Sequence, residues 1–128
     1  MTASVAESVL SVLDEYHRCY VGRDVEGVTD LCLWPFVAIR KGKAIHLPDR
    51  AAVRDHFAAA MSAYRVTGFT KWTRIEQDLQ ELGEHSVYLT VNWVAEHTNA
   101  ELRRNTWTSY QLLNTPEGWR FLSYTNHF

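Results

Sequence analysis

From Thr70 to the C-terminus the chain runs through four long stretches of alternating polar and apolar residues, broken only by short polar turns. No other feature constrains the fold as strongly, because a period of two sends one residue set to each face of a sheet. The stretches cover roughly Thr70–Leu82, Ser86–His97, Glu101–Asn114 and Trp119–His127. Their connections, Gly83-Glu84, Thr98-Asn99-Ala100 and Thr115-Pro116-Glu117-Gly118, have the length and residue types of hairpin turns. Four consecutive strands joined in this way predict an antiparallel meander. In the second strand Val87, Leu89, Val91, Trp93 and Ala95 share a face that must meet an apolar layer. Tyr88, Thr90, Asn92 and Glu96 share the other.

The first half of the chain supplies that layer. Val5, Val9, Val12, Leu13, Tyr16 and Tyr20 recur at helical spacing, and Gly22 ends the run. Asp24 is placed to cap a short second helix reaching Cys32, with Gly27 lowering its intrinsic stability. Pro35 is expected to close that helix, and Phe36–Lys41 reads as a strand turning at Lys41-Gly42-Lys43 into a partner around Ala44–Leu47. A third helix starts at Pro48-Asp49, with Asp49 as its cap and Val53, Phe57, Ala60, Met61 and Tyr64 as its apolar stripe. Val66-Thr67-Gly68 then hinges into the sheet. With no repeat, linker or low-complexity run, residues 1–128 read as a single domain.

Charge and composition exclude some functions. A net charge of −2 with 13 basic and 15 acidic residues leaves no clustered positive surface for nucleic acid. The N-terminus lacks a basic leader and no stretch approaches a membrane span, which predicts no membrane association and a cytoplasmic protein. Cys19 and Cys32 fall outside any paired-cysteine motif and read as buried, reduced thiols. None of the six histidines shares a two-ligand helical spacing with another, so neither a metal nor any other cofactor is expected. Five tryptophans among 128 residues are many for a core alone, and aromatics also wall pockets and interfaces.

At Tyr16, at Asp24-Val25-Glu26-Gly27 and along Phe36–Arg40 the chain resembles the NTF2-like superfamily, including its SnoaL-like cyclases and ketosteroid isomerases. The helix–helix–strand–helix–meander order carries the resemblance over the whole chain. It implies an α+β, cystatin-like cone: three N-terminal helices packed on a curved, mostly antiparallel sheet around a pocket. It also implies a homodimer formed through the sheet. Activities in the superfamily include isomerases, cyclases, dehydratases and epoxide hydrolases, and some members are non-catalytic.

Carried over residue by residue, the isomerase site is mostly lost. The oxyanion tyrosine falls on Tyr16 and the second oxyanion donor on Tyr110, where a phenol still donates a hydrogen bond. The catalytic carboxylate falls on Arg40, and a guanidinium accepts no proton, so steroid-type isomerisation is not expected. The tyrosines that support the oxyanion tyrosine fall on Cys32 and Phe57, while Trp93 and His127 take positions of aromatic pocket walls. The expected site is therefore Tyr16, Tyr20, Phe36, Arg40, Phe57, Trp93, Tyr110 and His127, holding a small, mostly apolar ligand through one anionic or carbonyl oxygen.

Each of these has a plainer reading. Arg40 stands just before a turn and would point to solvent; Tyr16 would be a core tyrosine; His127 would sit at the sheet edge. Trp107, opposite in parity to Tyr110, faces outward as an interface candidate, and Arg103-Arg104 read as hairpin-end partners of Glu96 and Glu101. The faces of Glu76 and Asp78 are left open by parity. The two function classes that remain are an acid–base enzyme of SnoaL-like kind, with Tyr16, Tyr110, Arg40 and His127 as its polar groups, and a non-catalytic binding or assembly module.

Overall fold

The computed structural model describes residues 4–128. Helix α1 (Val5–Val21) is capped by the Ser4 hydroxyl, which accepts from the Glu7 amide at 3.1 Å, and it stops at Gly22. Helix α2 (Val25–Asp30) starts from Asp24, whose carboxylate accepts from the Gly27 amide at 2.9 Å. Gly27 is required for packing rather than for a turn. A Cβ there would come within 2.5 Å of Asp24 Oδ2 and 2.7 Å of Cys19 Sγ, so a side chain would push α2 off α1.

Strand β1 (Cys32–Arg40) and strand β2 (Lys43–Leu47) form a hairpin, followed by helix α3 (Arg50–Val66) with the Asp49 cap in place. Gly68, at φ +94°, supplies the left-handed residue that turns α3 into the sheet. Strands β3 (Phe69–Leu82), β4 (Ser86–His97), β5 (Arg104–Thr115) and β6 (Gly118–Asn126) then make the expected meander. All six strands join one sheet in the order β2-β1-β6-β5-β4-β3. Among the described residues only the β1–β6 pair is parallel.

Three expectations need correction. Cys32 does not lie on the second helix, and Pro35 does not close it: Leu31 ends α2, and Cys32 already pairs with Phe121 of β6. Pro35 falls where the β1–β6 register shifts between Cys32 and Val37, an irregular stretch in which a missing N–H breaks no ladder bond. Glu101 and Leu102 do not open the third meander strand. They belong to a 3₁₀ turn, Ala100–Leu102, whose start is fixed by the Asn99 side chain accepting from the Glu101 amide. His127 lies just past the end of β6.

The alternation read from β4 holds. Val87, Leu89, Val91 and Trp93 are each at most 1% exposed and face the helices, meeting Val9, Leu13 and Tyr16 of α1 and Val53, Phe57 and Met61 of α3 in one core. Burying each such large apolar side chain contributes about 1.5–3 kcal/mol. A bulge after Arg74 explains why parity left Glu76 open. Arg74 pairs with inward Trp93, while Glu76 pairs with outward Asn92, so Glu76 and Asp78 both lie on the outer face.

Candidate functional site

Past the aliphatic part of the core, the concave face of the sheet opens into a cavity of about 130 Å³. Its walls come from every layer: Tyr16 and Tyr20 of α1, Phe57 and Tyr64 of α3, and Trp72, Tyr110 and Tyr124 of the sheet. The parity of the strands puts them there. Tyr110 pairs with Tyr124 and with Leu89, so all three share the inner face, and Ala38 beside Tyr124 carries that face to β1.

The rings hold one another at fixed angles. Tyr16 lies edge-on to Tyr110 (5.8 Å) and to Phe57 (6.3 Å), and Tyr20 packs against Trp72 at 4.7 Å. Trp72 stacks on Trp93 at 4.4 Å, its carbonyl is held by His17 Nε2 at 2.6 Å, and Trp93 Nε1–H donates to the Tyr110 hydroxyl at 3.0 Å. Such pairs add about 0.5–1.5 kcal/mol each beyond burial and make the wall stiff.

Of the eight residues expected at the site, Tyr16, Tyr20, Arg40, Phe57 and Tyr110 line the cavity. Phe36 and Trp93 stand one layer behind it: Phe36 supports Phe57 and Tyr124, and Trp93 supports Trp72. His127 is elsewhere. Its imidazole bonds Ser109 Oγ at 2.8 Å, and Ser109 bonds Thr90, both on the outer face.

Sequence reasoning missed Arg104, Tyr124 and His56. Arg103 does pair with Glu96, at 3.0 Å, but Arg104 turns the other way, over the Phe69 ring at 5.1 Å and onto the cavity wall. Alternation was the available signal, since adjacent residues of a strand face opposite ways. His56 has Nε2 2.7 Å from the Tyr124 hydroxyl. It directly precedes Phe57 on the buried stripe of α3, which marks it as half inside.

Electrostatically the cavity is one-sided. Arg40 and Arg104 line it and no aspartate or glutamate does. Burial raises the pKa of Tyr16 far above the usual phenol value, and raises those of Tyr20, Tyr110 and Tyr124 as well. For Tyr124 the positive charge of Arg40 pulls back part of that rise. All four therefore present neutral hydroxyls at ordinary pH. His56 is shifted down, first by burial and then by Arg40, which keeps its imidazole neutral. Among the described residues no cluster of three His, Cys, Asp or Glu side chains is disposed to hold a metal ion, and no helix is long and apolar enough to cross a membrane.

What this arrangement presents is neutral O–H donors, two exposed arginine cations and aromatic surface. The fold that builds it is shared with solved structures. Aln2 from a Streptomyces species superposes with a TM-score of 0.78 at 14% identity, covering 98% of this chain and 91% of that one. An NTF2-like protein with a cystatin-like fold from Novosphingobium aromaticivorans gives 0.74 at 15% identity, covering 94% and 79%. A candidate ketosteroid isomerase from Shewanella frigidimarina gives 0.73 at 17% identity, covering 91% of each chain. At these identities the likeness is one of fold alone. A search of curated proteins found no match. Residues 6–128 match the model of the family described as NTF2-like protein (DUF6841), and the chain belongs to that family.

Proposed function

We propose that this protein binds a small, mostly apolar molecule carrying an anionic or carbonyl oxygen, with its ring system among Tyr20, Phe57 and Trp72 and its oxygen toward Arg40. The observation that carries the reading is the composition of the cavity wall: aromatic rings, phenolic hydroxyls and two arginines, with no aspartate or glutamate side chain among the described residues that line it. Arg40 and Arg104 are both solvent-exposed, and a guanidinium there still favours an anion over a neutral oxygen through charge-assisted hydrogen bonds. With no aspartate or glutamate among the described residues of the lining, the side-chain base that ketosteroid-type proton abstraction would need is missing at this place. The alternative, an acid–base enzyme of SnoaL-like kind, would have to draw its proton acceptor from His56 behind Tyr124.

Titration calorimetry with 1-naphthoate and its neutral counterpart 1-acetylnaphthalene tests the reading. Arg40→Ala is expected to weaken naphthoate binding by about 1–3 kcal/mol and to affect the ketone less. Unchanged naphthoate affinity in both Arg40→Ala and Arg104→Ala removes the anion-site reading.

We further propose that the outer face pairs with a second copy of the chain. It carries Trp107 and Tyr88, at 38% and 40% exposure. Sedimentation showing a monomer at every concentration would refute this, and Trp107→Ser is expected to shift a dimer toward monomer.

A further inference from the structure

The cavity reading above leaves one contact unused. Tyr124 lines the cavity, and its hydroxyl is 2.7 Å from Nε2 of His56, which does not line it. The rings pack at 5.8 Å, and Phe57, edge-on to His56 at 5.4 Å, fixes the imidazole from its own helix. A hydroxyl has one proton to give. With the cavity empty and the imidazole neutral, in the tautomer that carries its proton on Nδ1, that proton goes to Nε2. An oxyanion drawn in by Arg40 competes for the same proton.

We infer that an anionic ligand enters this cavity together with a proton, which His56 takes as Tyr124 turns its hydroxyl from the imidazole to the ligand oxygen. After the turn, Nε2–H donates to the Tyr124 oxygen and Tyr124 O–H donates to the anion, so the His56–Tyr124 contact is kept while the anion gains a donor. The ligand also neutralises Arg40, the cation that disfavours an imidazolium beside it. The site thus accepts a weak organic acid as a whole, its anion on Arg40 and Tyr124 and its proton on His56.

The other groups facing this pair do not compete for the proton. Tyr16 and Tyr20 of α1 and Tyr110 of β5 are phenols whose pKa values are raised, so they stay neutral near pH 7. Arg40 of β1 is a cation that opposes uptake until the anion arrives, and Lys43, opposite it on β2, is exposed to solvent. Arg104 adds a second cation from β5. On α3, Asp55 is turned to solvent with Arg54.

The sign follows. In the free protein His56 titrates below its ordinary 6.5, and the bound anion raises that value. Between the two, binding takes up as much as one proton, and affinity climbs as pH falls, by up to about tenfold per pH unit.

Calorimetry of 1-naphthoate at pH 6 to 7.5, in buffers of different ionisation enthalpy, measures the uptake directly. Wild type is expected to take up a fraction of a proton with naphthoate and none with 1-acetylnaphthalene. His56→Gln and Tyr124→Phe, each checked for native circular dichroism, should still bind naphthoate, more weakly, with no uptake and a flat pH profile. Naphthoate binding without uptake in wild type overturns the inference and leaves the cavity reading standing, as does uptake that persists in His56→Gln. Failure of both probes to bind overturns the cavity reading and this inference together.

Discussion

The concave face of one sheet has two ends, and they are built differently. At one end Val87, Leu89 and Leu112 meet Val9 and Leu13 of α1 and are fully buried. At the other, reached along the same strands, Tyr110, Tyr124, Thr108 and Arg104 meet Tyr16, Tyr20 and Tyr64 around open space. Branched aliphatic side chains interdigitate to crystal-like density. Rings with polar tips do not, because each tip must reach a hydrogen-bond partner or water. The hollow is therefore written into side-chain type, not strand geometry: the aliphatic end is filled and the aromatic one is left open.

Mutations can break that division. Leu89→Ala, at the filled end, is expected to cost about 2–5 kcal/mol in chemical denaturation while leaving naphthoate affinity unchanged. A loss of affinity of similar size would mean that the two ends are not separable. Tyr110→Phe, at the boundary, removes the acceptor for buried Trp93 Nε1–H and is expected to cost about 1–3 kcal/mol. A neutral result would show that water reaches the indole.

Acid sharpens the picture on a smaller scale. His56 titrates lower in the folded protein than its ordinary 6.5, so the unfolded chain binds the proton first. Its stabilising contribution is complete above 6.5 and is lost as pH falls through the folded value. Urea midpoints of wild type should drop across that window relative to His56→Gln. Parallel curves would remove His56 from the open end.

The fold was largely legible because its signals are local. β4 was read with its observed bounds, Ser86–His97, because β-branched and aromatic residues alternate through it without interruption. Ser4, Asp24 and Asp49 all cap helices, but Ser4 was not singled out, since a serine in a polar N-terminus has no distinguishing neighbourhood. β1 was started late because Pro35 reads locally as a breaker, and only pairing with β6 shows that Cys32 is already extended. The site was legible in part. Tyr16, Arg40 and Tyr110 were reached through the family resemblance. His56 was hidden because its role depends on a strand 68 residues later, and no spacing rule reports such a contact. Arg104 was hidden by its neighbour, whose pairing with Glu96 was taken to hold for both.

The parallel pair in the sheet ties the assembly of the site to the order of the strands along the chain. β6 follows the other five strands in chain order yet lies third in the sheet, between β1 and β5. Until it docks, the helices with their β1–β2 hairpin and the β3–β5 meander are two unclosed pieces, with Arg40 on one and Tyr110 on the other. The cavity wall is therefore joined only once β6 has paired on both sides, with β1 and with β5.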